Sequence, residues 1–215
     1  MAETSAATDR LIDRLAAGAT PVRPLGPPWR RALLWLALCV PPFLAVIAFH
    51  WPDGETRALF GDRRLLVEQA AVLATAVTAA IAAFSSTVPG AGRRFLLLPA
   101  APLLVWLLAI GKGCLDAWPM DGAALAPDTD CLGPMTLLAI VPAAAMIVML
   151  RRGAPLAPRL TLVLAALACA GAVTFGLRFF HAPDATATVL VWHVGLAALV
   201  TAAAPLAAPL LLRRA

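Results

Sequence analysis

Six long apolar stretches, at 32–51, 65–87, 95–113, 132–150, 160–179 and 186–212, leave this chain few ways to fold. A helix needs roughly 20 mostly apolar residues to cross about 30 Å of hydrocarbon, and each stretch is close to that length. With 61% hydrophobic and 13% charged residues and a mean hydropathy of +0.86, the chain lies far from a soluble globular domain. The expectation is an all-α membrane protein, a six-transmembrane-helix bundle. A short cytoplasmic amphipathic helix and a proline-rich spacer precede it. Residues 1–31 form the cytoplasmic segment, 32–212 the membrane domain and 213–215 a cytoplasmic tail.

The distribution of charge orients the bundle, because short basic loops stay on the cytoplasmic side. Arg10, Arg14, Arg23, Arg30, Arg31, Arg93, Arg94, Arg151, Arg152, Arg159, Arg213 and Arg214 fall on one side, with Glu3, Asp9 and Asp13 as its only acids. The other side carries Arg57, Arg63, Arg64, Lys112 and Arg178 against nine acids, among them Asp53, Glu68, Asp116 and Asp130. Both termini are therefore expected in the cytoplasm. The formal charge of +5 reports topology and gives no reason to expect direct nucleic-acid binding. The first apolar run begins only at Ala32 and is long enough to be retained as a span, so no cleavable signal peptide is expected.

The spans read as three hairpins, each entered through an arginine pair, and their alanine-rich faces suit close backbone approach. The runs AAVLATAVTAAIAA and LAALACAGAVTFG are the smoothest. Pro41, Pro42, Pro99, Pro102, Pro142, Pro205 and Pro209 fall within spans, where each removes a backbone donor. A transporter would carry ionisable groups near the midplane, and here they are nearly absent. Glu68, Lys112 and Arg178 belong near the outer interface, free to snorkel or to pair. Cys39 and Cys169 sit mid-span as small apolar fillers.

Chemistry-bearing groups gather on the outer face. Cys114 closes the third span and Cys131 opens the fourth, His50 and His181 end the first and fifth, and His193 lies a turn or two into the sixth. Thiolate and imidazole favour zinc and softer metals, and two thiols flanking one loop can form a disulfide when their Cα atoms come within about 7 Å. Three readings stand side by side: interfacial residues and helix caps, a thiol switch, or a metal sensor using Cys131 and His181. No resident cofactor is expected, transient zinc or heavy-metal binding aside. No catalytic residue is assigned. A quinone-linked thiol oxidoreductase would need a second thiol pair near the outer face, and Cys39 and Cys169 lie too deep to supply it.

In the cytoplasmic segment Thr8 or Asp9 is the expected N-cap, and RLIDRLAAG places Leu11, Ile12 and Leu15 on one helical face before Gly18 ends it. Arg10 and Arg14 flank that face and complete the candidate contact set. PVRPLGPPW then enforces extended geometry as a spacer, and Trp29, Arg30 and Arg31 anchor it at the membrane. Asp9 and Asp13 weaken attraction to anionic lipid, so the face fits a groove on a soluble partner better than the bilayer surface.

TDRLIDRLAAGATPVRPLGPPWRR, the six-span layout, TDCLGPM, RRGAPLAPRL and FFHAPDATATVLVWHVG, in that order, together resemble the NrsF-type anti-sigma factors. The resemblance implies a bacterial inner-membrane protein that is not an enzyme. Its N-terminal segment would sequester an extracytoplasmic-function sigma factor and release it on heavy-metal or oxidative stress at the outer face. It also implies two sensing cysteines. Cys131 matches the first, whereas the expected His-Cys-Pro after the fifth span reads His181, Ala182, Pro183. Cys114, or His181 with His193, is left to complete a sensor around Cys131.

Overall fold

Long runs of alanine, leucine and valine satisfy their backbone only as helices in an apolar setting, and the computed structural model is helical wherever it is regular. It describes residues 2–18, 25–49, 61–90, 92–117, 132–153, 155–180 and 194–212. Among these, seven α-helices form: α1 (Ala2–Ala17), α2 (Pro28–Phe49), α3 (Arg63–Ser85), α4 (Ala100–Ala117), α5 (Leu132–Arg151), α6 (Pro158–Leu177) and α7 (Gly195–Leu211). Two 3-10 turns, Arg93–Leu97 and Arg178–Phe180, extend the approach to α4 and the exit of α6.

Among the described residues, five helices are long and apolar enough to cross a membrane: Pro28–Ala48, Arg63–Ser85, Arg94–Gly113, Gly133–Arg151 and Pro158–Leu177. Gly195–Leu211 is apolar but shorter. Most of the expected sixth stretch before it, 186–193, lies outside the described residues.

Two boundaries differ from the sequence reading. α1 begins at Ala2, so Thr8 and Asp9 are interior helical residues and neither is its N-cap. Alanine and the other residues of the AETSAAT run tolerate helix well enough for the turn to propagate upstream. Gly18 does end the helix, its N–H donating to the Arg14 carbonyl at 3.1 Å. α2 begins at Pro28, four residues before the apolar run. Proline suits a first helical turn, where its missing N–H would have no partner anyway.

Elsewhere the starts and stops have local causes. The Asp62 carboxylate accepts from the Arg64 N–H at 2.7 Å and caps α3. After α3 the chain turns through Gly90, whose φ of 79° favours a residue without Cβ. Pro158 opens α6.

α6 is the centre of the bundle. It packs on α3, α5 and α7, while α2 packs on α3 and α5, and α4 packs on α3. The most extensive helix pairing is α3 with α6, the two that carry the alanine-rich runs. A Cβ built on Gly171 would lie 3.1 Å from the Ala76 Cβ and 3.3 Å from the Val72 carbonyl oxygen. In lipid no hydrophobic effect presses helices together, so this close approach and its dispersion contacts carry the association. Ala79, Ala80, Ala82, Ala83, Ala165 and Ala168 line the seam, with Trp35 and Phe84 as the large buried plugs.

Pro41, Pro42, Pro142, Pro205 and Pro209 all sit inside helices. Pro99 precedes α4, and Pro102 falls in its first turn, where no intrahelical donor is lost. Cys39 and Cys169 are free, half-buried and packed against the main core, with the Cys39 thiol donating to the Trp35 carbonyl at 3.3 Å. They fill space, as expected of mid-span cysteines.

Candidate functional site

Helix geometry places the start of α2, the ends of α3, α5 and α7 and the start of α6 at one end of the bundle, which gathers Arg30, Arg31, Arg94, Arg151, Arg152 and Arg159. At this end α1 connects to the bundle. All described side chains of α1 are solvent-exposed, its apolar face included: Leu11 is 57%, Ile12 56% and Leu15 67% exposed. Arg10 and Arg14 are exposed on the same helix. A 16-residue helix with an unpacked apolar face has little to hold it in water on its own, and gains stability when that face is covered.

The entry of α2 is held firmly. Arg31, expected to be a membrane-surface anchor with Arg30, turns inward and is only 8% exposed. Its Nη1 donates to the Thr87 hydroxyl at 2.8 Å and its Nη2 to the Met149 carbonyl at 2.8 Å. The guanidinium also lies 4.5 Å from the centre of the Phe84 ring, within cation–π range. The fixed fork of arginine satisfies two acceptors on two different helices, which a lysine ammonium does less well. One turn further along α2, the Trp35 indole donates to the Pro142 carbonyl of α5 at 2.9 Å. Thr87 is in turn packed against Gly153, where a Cβ would come within 2.7 Å of the Thr87 Cβ. Arg31 thus ties the first turn of α2 to the ends of α3 and α5.

The sequence carried a signal for this clamp. Arg31 and Trp35 are four residues apart and share one helical face, so the buried stripe of α2 runs back past the apolar stretch. Arg30, one position away, instead lies over its neighbour Trp29 at 5.0 Å, and Trp29 is half-exposed. Of the three residues expected as the anchor, Trp29 and Arg30 stay at the surface of the bundle and Arg31 does not.

At the opposite end Glu68 and Arg178 pair at 3.4 Å, with side chains 2% and 1% exposed. The pair joins α3 to the exit of α6, so these charges neutralise each other inside the bundle and do not snorkel. Glu68 Oε2, Gln69 Oε1 and the Trp106 indole N–H are buried with no hydrogen-bond partner among the described residues. Gln69 meets the Phe175 carbonyl through its amide nitrogen at 3.4 Å. A cluster of Ala71, Val72, Trp106 and Ile110 adjoins them, and Val194 packs against it.

Of the expected sensor residues, Cys131, His181 and His193 lie outside the described residues, as does His50. Cys114 is described as a backbone position in the last turn of α4, one turn beyond Ile110. The expected grouping around Cys131 therefore lies outside the described residues. Among them no group of three histidine, cysteine, aspartate or glutamate side chains is arranged to hold a metal ion.

Comparison with known proteins gives one result. No match is found among curated proteins or among solved structures. A family match covers residues 15–213, nearly the whole chain, so that Leu15 falls inside it while Leu11 and Ile12 precede it. On that match the chain belongs to the NrsF family, described as negative regulator of sigma F.

Proposed function

We propose that this negative regulator is a membrane-bound anti-sigma factor that holds an extracytoplasmic-function sigma factor through its cytoplasmic N-terminal segment. One observation carries the reading: an exposed apolar face of Leu11, Ile12 and Leu15 on a helix, joined to a span whose first turn is locked into the bundle by Arg31. A short amphipathic helix of this kind docks into a groove on a soluble partner, with Arg10 and Arg14 at its rim. Residues 1–31 are the binding segment and spacer, 32–212 a six-span domain of the bacterial inner membrane, and 213–215 a cytoplasmic tail. The positive-inside distribution of arginine puts the α1 end in the cytoplasm.

The input lies at the opposite end. Cys131 with Cys114 or His181, and His193, form the sensor for heavy-metal or oxidative stress, with Cys131 and His181 as first candidates for transient metal ligation. In sequence, Cys114 lies four positions after Ile110 of one buried cluster, and His193 immediately precedes Val194, which packs against it. A change there bears on α3, whose other end supplies Phe84 and the approach to Thr87, the seat of Arg31. The sigma factor is released when this seat shifts, and a tenfold loss of affinity needs only about 1.4 kcal/mol of coupling. No catalytic step is required.

The test uses the full-length protein in detergent or nanodiscs. It should capture an extracytoplasmic-function sigma factor, and deletion of residues 1–18 should abolish capture and derepress a sigma-dependent reporter. Capture that survives the deletion overturns the assignment. For the sensor, Cys131→Ser should blunt the stress response of the reporter, and an unchanged response refutes it.

A further inference from the structure

α5 and α7 both pack on α6 and leave between them a cleft of about 660 Å³. Its walls are Ile140 and Ala143 of α5, Ala166 and Cys169 of α6, and Val200 and Ala203 of α7, among others. Among the described residues, the only polar side chains lining it are Thr136 and Thr174. On α6 the lining runs from Leu162 to Leu177, about 22 Å of helix axis at a rise of ~1.5 Å per residue. That exceeds one leaflet of a hydrocarbon core about 30 Å thick. The cleft is thus long, narrow and apolar, and asks nothing of its occupant by way of hydrogen bonds.

Its arginine-rich mouth has the opposite character. Arg151 Nε donates to the Leu211 carbonyl at 2.6 Å, bridging α5 to the end of α7 beside Leu211, which itself lines the cleft. Arg152 and Arg159 are exposed on either side of the turn into α6, and Arg159 lies three residues before Leu162 of the lining. The stretch from Arg151 to Arg159, RRGAPLAPR, contains no acid. A polar cationic rim at the headgroup level, continuous with an apolar slot in the hydrocarbon, matches one amphiphile: an anionic head on a hydrocarbon chain.

We propose that the α5–α6–α7 cleft binds one anionic phospholipid, its acyl chain along the cleft and its phosphate at Arg152 and Arg159. A helix from a second copy fits poorly. It would bring its own arginine-rich end against Arg152 and Arg159, like charge against like, and no anion to pair with them. A hydrocarbon chain is one methylene wide and fits.

Full-length protein in detergent, titrated with palmitoyl-oleoyl phosphatidylglycerol or with the phosphatidylcholine of the same chains and read by native mass spectrometry, decides the matter. The wild type should retain one phosphatidylglycerol per chain in preference to phosphatidylcholine. Arg152→Gln with Arg159→Gln should reduce that preference about tenfold. Val200→Trp should remove the bound lipid by filling the slot. Val200 is 50% exposed, so its replacement leaves the packed core intact, and Ala203→Phe serves as a second filler. Equal retention of both lipids by the wild type, or phosphatidylglycerol retention indifferent to both fillers, overturns the proposal. So does a disulfide-linked dimer from Val200→Cys in place of bound lipid, which would put a second copy in the cleft.

Discussion

Arg31 and Thr87 are 56 positions apart, and their side chains meet at 2.8 Å where the first turn of α2 enters the bundle. This contact makes the junction between the exposed N-terminal helix and the spans a defined object. A charged residue at the head of a span would otherwise be free to slide along the interface. Here it is fixed by two hydrogen bonds and an aromatic face.

The Arg31 seat predicts a graded series. Arg31→Ala removes two charge-assisted hydrogen bonds and leaves the Met149 carbonyl without that partner, a loss of about 3 kcal/mol. Arg31→Lys keeps the charge but not the fork, and should fall between. Thermal melts in one detergent should rank wild type, lysine, alanine in descending order. If the seat also transmits the signal, Arg31→Ala derepresses the sigma-dependent reporter while α1 itself is unchanged.

Glu68 and Arg178 predict a non-additive double-mutant cycle. Either partner removed alone leaves its opposite charge in the bundle, so Glu68→Leu or Arg178→Met should each destabilise by about 3–5 kcal/mol. Both replaced together should recover most of that loss, since two apolar side chains fill the site without a charge to bury. Additive losses in denaturation of the four proteins would mean that the two groups act separately.

The helix seam predicts a contrast between two glycines. Gly171→Leu forces atoms into the Ala76 and Val72 backbone and should cost about 1–3 kcal/mol or more through separation of α3 from α6. Gly111, on α4, meets nothing within 4 Å of a built Cβ, and Gly111→Ala should leave the melting temperature nearly unchanged. Similar losses at both positions would argue against close packing as the source of bundle stability.

Much of this architecture is legible in the sequence because lipid simplifies the rules. Length and hydropathy place five of the candidate spans to within a few residues, and the alanine runs fall on the two helices that pack together most extensively. What escapes is the use of polar residues at span ends. Arg31 counts as a loop charge by position and is a buried linchpin by contact, and Glu68 finds Arg178 only through packing of α3 on α6. Helix starts escape too, as at Ala2, where alanine carries the helix past a reasonable cap. Cys131, His181 and His193, the expected sensor residues, lie outside the described residues, and sequence spacing alone cannot say which of them meet.

The exposed face of α1 predicts a separation of stability from regulation. Leu11, Ile12 and Leu15 are more than half exposed, so truncating them removes almost no packing from this protein and the melting temperature should hold. Their apolar area is available to a partner instead. Burial of a leucine side chain contributes about 1.5–3 kcal/mol, so each truncation weakens binding by roughly tenfold or more, and Leu11→Ala with Leu15→Ala by about a hundredfold. Titration of the sigma factor onto wild-type and variant protein in nanodiscs checks this directly. A hundredfold loss of affinity at unchanged stability is the expected result, and the reporter should be derepressed without stress. If binding is unchanged while the variant protein melts earlier, the face serves the fold of this chain, and the partner must be held through some other part of it.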